Sequence, residues 1–281
     1  MLRCIVWDVQ HGSATTIITP DNKYIAVDLG ASTSEGGFSP LLHLRDSFGV
    51  QQLHTVIVTH PHRDHLDDVE NFDALSPRVL CRPSHLSDKE VISANRAEDN
   101  GKIDKYLEIH KRYNGPVDAE VDFQDPTAFG NVTIRTFIPT AATRTNINNH
   151  SVVVVASYAD SKILLPGDNE PVSWRELLER KDFLDAISGT DILVAPHHGR
   201  DSGFCSDLFQ HITPKLVLIS DGRFCDTSAT SRYSNQATGW PVHKRGGGRE
   251  DRKCVTTRKD GPIDIRFWKD GTQPYLTVEI D

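Results

Sequence analysis

The residues with the strongest claim to chemistry sit in one short run, Thr59-His60-Pro61-His62-Arg63-Asp64-His65, where three imidazoles and a carboxylate fall within six positions. Imidazole nitrogen and carboxylate oxygen suit Zn, Mn or Fe, and a set without thiolates does not suit a closed structural zinc site. Four such groups cannot all face one side of a regular element, but a tight loop can fan them around two adjacent ions. An open catalytic centre follows. Two later segments add to it. Leu164-Leu165-Pro166-Gly167-Asp168 ends in a Gly-Asp pair whose carboxylate could bridge two metals roughly 3.5–4 Å apart, although Gly-Asp alone reads as a turn. Ala195-Pro196-His197-His198-Gly199 supplies a second histidine pair.

All three segments follow short Val- and Ile-rich runs bounded by Gly, Pro, Asn or Asp, which read as strands. Strands are expected at 3–9, 15–19, 24–28, 55–59, 78–81, 132–138, 151–157, 162–165, 191–195, 215–219, 263–268 and 275–280. Apolar spacing of three and four predicts helices at 40–48, 88–97, 103–113, 174–186 and 205–211. The mixture predicts an α/β sandwich, sheets inside and helices outside. Residues 53–62 and 190–198 echo one another as a buried strand running into a Pro/His loop, which would bring their histidines to one shared edge. No low-complexity linker divides the 281 residues, so one domain is expected over 1–281, with a helical insertion near 85–113 and a basic loop near 225–259.

The ordered set resembles the metallo-β-lactamase fold superfamily, and most of all the hydrolase domain of competence-type DNA-uptake proteins and its soluble relatives. The matching segments are Asp8-Val9-Gln10-His11-Gly12-Ser13-Ala14, Asp28-Leu29-Gly30, Asn148-Asn149-His150-Ser151, Leu164 to Asp168, and Pro196-His197-His198-Gly199. The likeness covers about residues 3 to 222 and implies a four-layer αβ/βα sandwich of the metallo-β-lactamase type. Two departures stand out. Gln10-His11-Gly12-Ser13 replaces the family's Gly-Gln-Gly-Asp, and the aromatic-Gly-His-Pro signature expected beyond Gly222 is missing.

The resemblance implies two divalent metal ions, Zn or Mn. His60 and His62 would hold the first, Asp64 and His65 the second; Asp168 would bridge and His198 would complete the second site. Two such ions bring +4 of charge against −2 from Asp64 and Asp168, lowering the pKa of a bound water and stabilising negative charge on a scissile group. Beside Asp64, the catalytic candidate is His197, adjacent to ligand His198, for leaving-group protonation or phosphate binding. His150 stands inside the Asn-x-x-Ser motif and reads equally as ligand, phosphate contact or structural polar residue. His11 reads as a turn residue.

Composition bounds the rest. The net charge is −8, and the longest apolar run, 152–156, is far short of a membrane span. The N-terminus alternates like a strand and lacks a secretory h-region, and five scattered cysteines form no disulfide framework, so a cytoplasmic address is expected. Lys244, Arg245, Arg249, Arg252, Lys253, Arg258 and Lys259 reverse the sign locally around Gly246-Gly247-Gly248. Arg249, Arg252 and Lys253 are therefore candidate substrate contacts. The leading expectation is a two-metal phosphodiesterase or nuclease acting on nucleic acid or nucleotides. The alternatives are a hydrolase of a small ester, lactone or phosphoester, and an effector subunit switched on by a protein partner or by self-association.

Overall fold

The computed structural model describes residues 1–33, 36–222 and 229–281. Fifteen strands among them form two sheets. β1 (Leu2–Val6), β2 (Thr15–Ile18), β3 (Tyr24–Val27), β4 (Thr55–Ile57) and β5 (Val79–Cys81) belong to the first. β6 (Thr133–Phe137), β7 (Val153–Tyr158), β8 (Ser161–Leu165), β9 (Ile192–Val194) and β10 (Leu216–Ile219) belong to the second. The chain then returns to the first sheet with β11 (Trp240–Lys244) and β12 (Arg249–Arg252), visits the second with β13 (Cys254–Thr256), and ends on the first with β14 (Ile263–Asp270) and β15 (Gln273–Ile280). The sheet orders are β12-β11-β15-β14-β1-β2-β3-β4-β5 and β13-β10-β9-β8-β7-β6.

Period-two alternation decides which face each strand buries. Leu2, Cys4 and Val6 of β1 point between the sheets, where they meet Ile17, Ile25, Ile57, Val154, Ile163, Ile192 and Leu218. Truncating such a residue to alanine costs about 2–5 kcal/mol. Arg3, Ile5 and Trp7 take the opposite face. Outside the first sheet lie α1 (Pro40–Phe48), α2 (Asp88–Ala94) and α3 (Asn100–Arg112), burying Leu41, Leu44, Val91, Ile103 and Tyr106 against Ala26, Val56 and Leu80. Outside the second lie α4 (Pro171–Leu178), α5 (Lys181–Ile187) and α6 (Thr230–Ser234), which pack Trp174, Phe183 and Tyr233 on Val155, Leu164 and Val217. The result is the four-layer αβ/βα sandwich.

Local chemistry sets the helix ends. Ser39 Oγ accepts from the Leu42 amide, Pro40 opens α1, and Gly49 closes it at φ +71°. Ser87 and Glu90 form a capping box at α2. The single helix expected at 174–186 is two, α4 and α5, hinged at the extended Arg180. Buried Phe183 stands six positions from buried Leu177 and nine from buried Trp174, spacings that no continuous helical face accommodates, and the break brings the second stretch back into phase. The expected helix at 205–211 is a 3₁₀ turn, Ser206–Gln210.

The basic loop expected at 225–259 needs correction. Residues 225–228 lie outside the described set, and the remainder is mostly regular: α6, the β11–β12 pair, β13 and the short α7 (Thr257–Asp260). The glycine run 246–248 turns the hairpin at the free edge of the nine-stranded sheet.

The parallel arrangement positions the site. β3, β4 and β5 run parallel, as do β8, β9, β10 and β13, so the C-terminal ends of both sets open on one edge of the sandwich.

Candidate metal centre

The loop leaving β4 carries the His-x-His-x-Asp-His run. His60 and His65 are fully buried, while His62 and Asp64 are partly exposed. The run is clamped by close backbone approach: Gly12, at φ +139°, lies where a Cβ would come within 2.4 Å of the Asp64 carbonyl oxygen. Gly167, at φ +59°, lets the turn after β8 pass against Thr59 and Ser151 and delivers Asp168 between the sheets. After β9, His197 and His198 both adopt left-handed backbone (φ 51° and 53°). Such conformations cost about 1–3 kcal/mol each and mark functional positions.

Side chains from both sheets meet at this edge. His65 Nε2 faces Asp168 Oδ1 at 3.3 Å, and His198 Nε2 faces Asp64 Oδ2 at 3.2 Å and Asp168 Oδ2 at 3.5 Å. His60 Nε2 lies 3.8 Å from Asp168 Oδ2 and 3.0 Å from His62 Nδ1. Ligands about 2.0–2.1 Å from one tetrahedral ion stand roughly 3.3–3.5 Å apart, so several of these separations are those of a shared coordination sphere. Two overlapping ligand groups result, His60 with His65 and Asp168, and Asp64 with His65 and His198. The Nε2 atoms of His65 and His198 are buried without a hydrogen bond. Burying such groups is costly unless something accepts them, and a divalent cation does so.

The rings are aimed by their other nitrogens. His65 Nδ1 donates to Asp28 Oδ2 at 2.8 Å, and His198 Nδ1 donates to the Ser220 carbonyl at 3.1 Å. Asp28 is itself held by the Thr59 amide and hydroxyl at 2.7 and 2.9 Å. This carboxylate–histidine arrangement fixes the tautomer that leaves Nε2 for a metal. In the sequence Asp28-Leu29-Gly30 is a motif that does not assign Asp28 this part; the available signal is an acidic residue at the end of a strand, which the sheet sets beside β4. The Ser220 carbonyl left no side-chain signal at all.

Electrostatics split the cluster. Burial pushes His60 and His62 below their ordinary 6.5, His60 by the larger margin with the His65 charge adding to the effect. Burial works the same way on His65 and His198, but Asp28 and Asp168 raise His65 well above 6.5, and Asp168 with Asp64 raises His198. Burial would lift Asp64 and Asp168, yet the facing His198 and His65 hold both well below the usual carboxylate range. Protons on two histidines thus balance the carboxylates, in the place where a divalent ion would put the same charge.

The other expected residues fall in three places. His197 is at the rim, with Nε2 3.8 Å from Asp168 Oδ2 and Nδ1 2.9 Å from Ser202 Oγ and 3.4 Å from Glu170 Oε1. Burial and the His198 and Arg200 charges lower it from 6.5. Arg200, which the sequence did not single out, puts Nη1 3.4 Å from His197 Nε2. His11, expected to be a turn residue, also reaches the rim, 3.3 Å from Asp64 Oδ2. His150 is in neither ligand group: it is fully buried, with Nδ1 3.0 Å from His85 Nε2 and 3.2 Å from the Pro139 carbonyl, while its Nε2 is buried without a hydrogen bond. Its neighbour Ser151 does serve the site, since its Oγ accepts from the Asp168 amide at 3.1 Å.

Arg249, Arg252 and Lys253 are not brought to the cluster. Arg249 is on β12, seven strands from β4 in the sheet order. Register carries Arg252 opposite Trp240, level with Leu2 and away from the ligand loops, and Lys253 enters β13 at the same remote end. Arg252 is also paired with Glu250 at 2.8 Å and Asp260 at 3.3 Å.

The four layers and the order of the strand-end residues match what the resemblance to the metallo-β-lactamase fold implies, and the side chains brought together are ones that could hold a divalent metal. In sequence it is similar to ComE operon protein 3 of Bacillus subtilis (strain 168), 25% identical over 175 residues, 62% of this chain and 21% of that protein. It is also similar to the uncharacterized protein YcaI of Escherichia coli (strain K12), 34% identical over 77 residues, 27% of this chain and 10% of that one. The chain thus matches about a fifth or less of the length of these relatives. No family model matches. Similar solved structures include a diphosphatase from the PhnP family (11% identity, TM-score 0.45, 92% of this chain and 85% of that one). Another is a long-form RNase Z from yeast (8% identity, TM-score 0.49, 100% and 50%). Among the described residues no helix is long and apolar enough to cross a membrane.

Proposed function

We propose that this chain is a metal-dependent hydrolase of phosphoesters, a two-metal phosphodiesterase or nuclease acting on nucleotides or nucleic acid. The observation that carries the reading is the convergence of His60, Asp64, His65, Asp168 and His198 on one edge, with His62 against His60 and the Nε2 atoms of His65 and His198 buried and unsatisfied. Zn or Mn bound there would supply Lewis acidity and lower the pKa of a water ligand. The chain's own residues do the rest. Asp28 holds the His65 ring, the Ser220 carbonyl holds His198, and Asp64 and Asp168 supply the compensating negative charge. At the rim, the Arg200 guanidinium and His197 are placed to bind the oxygens of a phosphoester. The Arg200 charge at the rim supports phosphoester over lactone or neutral ester.

The test is metal analysis of the purified protein followed by assays with Zn or Mn on bis-p-nitrophenyl phosphate, cyclic nucleotides, single- and double-stranded DNA, RNA and a lactone. Phosphodiester cleavage is expected, falling on the order of 10³-fold in a His62→Ala, Asp64→Ala double variant that also loses metal, because the lost interactions are worth several kcal/mol. Unchanged metal content and activity in that variant would overturn the reading. Turnover of the lactone alone would replace it with the small-ester hydrolase, and a metal-loaded protein silent on every substrate would replace it with the partner-activated subunit.

A further inference from the structure

The outer face of the first sheet is only partly covered by helices, and beside α1 it opens into a cavity of about 650 Å³ lined by Arg3, Trp7, Phe38, Phe48, Arg245 and Arg266, among others. That volume is within the range of small-molecule sites. One wall is aromatic: Trp7 packs against Phe38 at 5.5 Å and Phe48 at 6.3 Å between ring centroids, and His43 joins all three at 5.3–5.6 Å. The facing wall is charged and oddly built, with Arg3, Arg245 and Arg266 set among Asp8, Asp264 and Glu279. Arg3 and Arg266 are direct cross-strand partners, as are Asp264 and Glu279. Like charges placed opposite one another destabilise a sheet, and a solvent-facing strand pair has no need of them.

A single buried carboxylate oxygen holds this arrangement. Asp264 Oδ2 accepts from Arg3 at 2.6 and 2.9 Å and from Arg266 at 2.9 Å. Nη1 of Arg3 and both Nε and Nη1 of Arg266 have no hydrogen bond to any described residue, so the two guanidiniums retain donors and the triad a net positive charge. The other acids of the lining are engaged with protein: Asp8 Oδ1 accepts from Gln10, and Glu279 pairs with Arg245 at 3.4 Å. Sequence patterns that break a local rule without a folding gain are expected at functional positions.

We propose that this cavity binds a planar aromatic anion, with a nucleoside monophosphate as the matching compound: the ring lies against Phe48 and Phe38, and the anionic group takes the free donors of Arg266 and Arg3. Ring stacking and bidentate guanidinium contacts are the forces used. The site is separate from the metal centre and does not depend on what the centre hydrolyses.

The experiment is calorimetric titration of the full, metal-stripped protein with AMP, with adenosine and inorganic phosphate as half-ligands. Saturable AMP binding is expected, with each half-ligand at least tenfold weaker. Arg266→Met should raise Kd about tenfold or more, and Phe48→Ala about fivefold to tenfold. The exposed Arg245→Gln, expected to weaken binding a few-fold, keeps the question open if Arg266→Met does not fold, as read by its melting temperature. Absence of binding at millimolar AMP would overturn the proposal. So would binding that appears only when metal is restored, binding indifferent to all three substitutions, or inorganic phosphate binding as tightly as AMP.

Discussion

Two charge-rich regions of this molecule are built on opposite principles. At the metal edge, charged groups come from loops far apart in sequence, are largely buried, and are balanced across the interface between the sheets: Asp28 against His65, Asp64 against His198, Asp168 against both. Two successive left-handed residues and close glycine approaches hold them there. On the β11–β12 edge, charges come from one continuous stretch, face solvent, and are balanced by near neighbours, as in Lys244 with Glu250 and Arg252 with Glu250. The first region carries desolvation and backbone strain that the fold must offset elsewhere; the second carries almost none. A run of like charges along the chain marks a solvated hairpin, whereas scattered histidines and aspartates at strand ends become the concentrated site.

The sharpest way to break this contrast is a matched pair of isosteric substitutions. Asp28→Asn removes the charge that orients the His65 ring and is expected to lower affinity for Zn or Mn about 10- to 100-fold, as outer partners of ligating histidines do. Asp251→Asn, on the exposed edge, is expected to leave it unchanged. Competition with a chromophoric chelator measures both. Equal affinities for the two variants would mean that the Asp28 contact is incidental.

A smaller effect concerns pH. His65 and His198 are raised in the fold, so their contribution to stability is complete below 6.5 and is lost as pH climbs through their folded values. His60 and His62 are lowered, so they make stability fall as pH drops below 6.5, and Asp64 and Asp168, also lowered, add a further loss below 3.8. The chelated protein is therefore expected to melt highest near pH 6.5 and lower on either side. With metal bound, the alkaline decline should vanish, because the ion takes the place of the His65 and His198 protons. Melting curves from pH 4 to 9 with and without chelator would decide it, and an alkaline branch unaffected by metal would contradict the charge assignment.

Much of this was legible in the residues. Short Val/Ile runs ending in His, Asp or Pro locate β4, β8 and β9 to within two residues at each end, and apolar spacing gives α1 its bounds of 40 and 48, because these signals are local. What the sequence did not reveal is non-local. His150 follows Asn148 and Asn149 in the motif, and only the 3₁₀ turn at Ile147–His150 shows that its Nδ1 meets His85, sixty-five residues earlier. Arg200 is a lone arginine after a His pair, and only the left-handed backbone of 197–198 shows that it returns to the rim. The basic stretch looked like a loop because Gly246-Gly247-Gly248 dominates it, but its flanks alternate weakly and find their partner in β15, more than thirty residues later.

The smallest expected effect tests the second region directly. Arg249→Gln with Lys253→Gln removes two exposed charges from the remote edge while sparing Arg252, whose bonds to the buried Asp260 are structural. Strands are spaced about 4.8 Å apart, so seven steps from β12 to β4 put Arg249 roughly 30 Å along the sheet from the ligand loop. Lys253 is nearer in strand count but at the opposite end of β13. Against a screening length of about 8 Å at 0.15 M salt, neither charge reaches the centre. Cleavage of bis-p-nitrophenyl phosphate by the double variant should stay within twofold of the parent, and so should cleavage of a long DNA or RNA strand. A fivefold loss confined to the long strand would give the hairpin a role in holding polymer, and the two regions would then serve one substrate instead of standing apart.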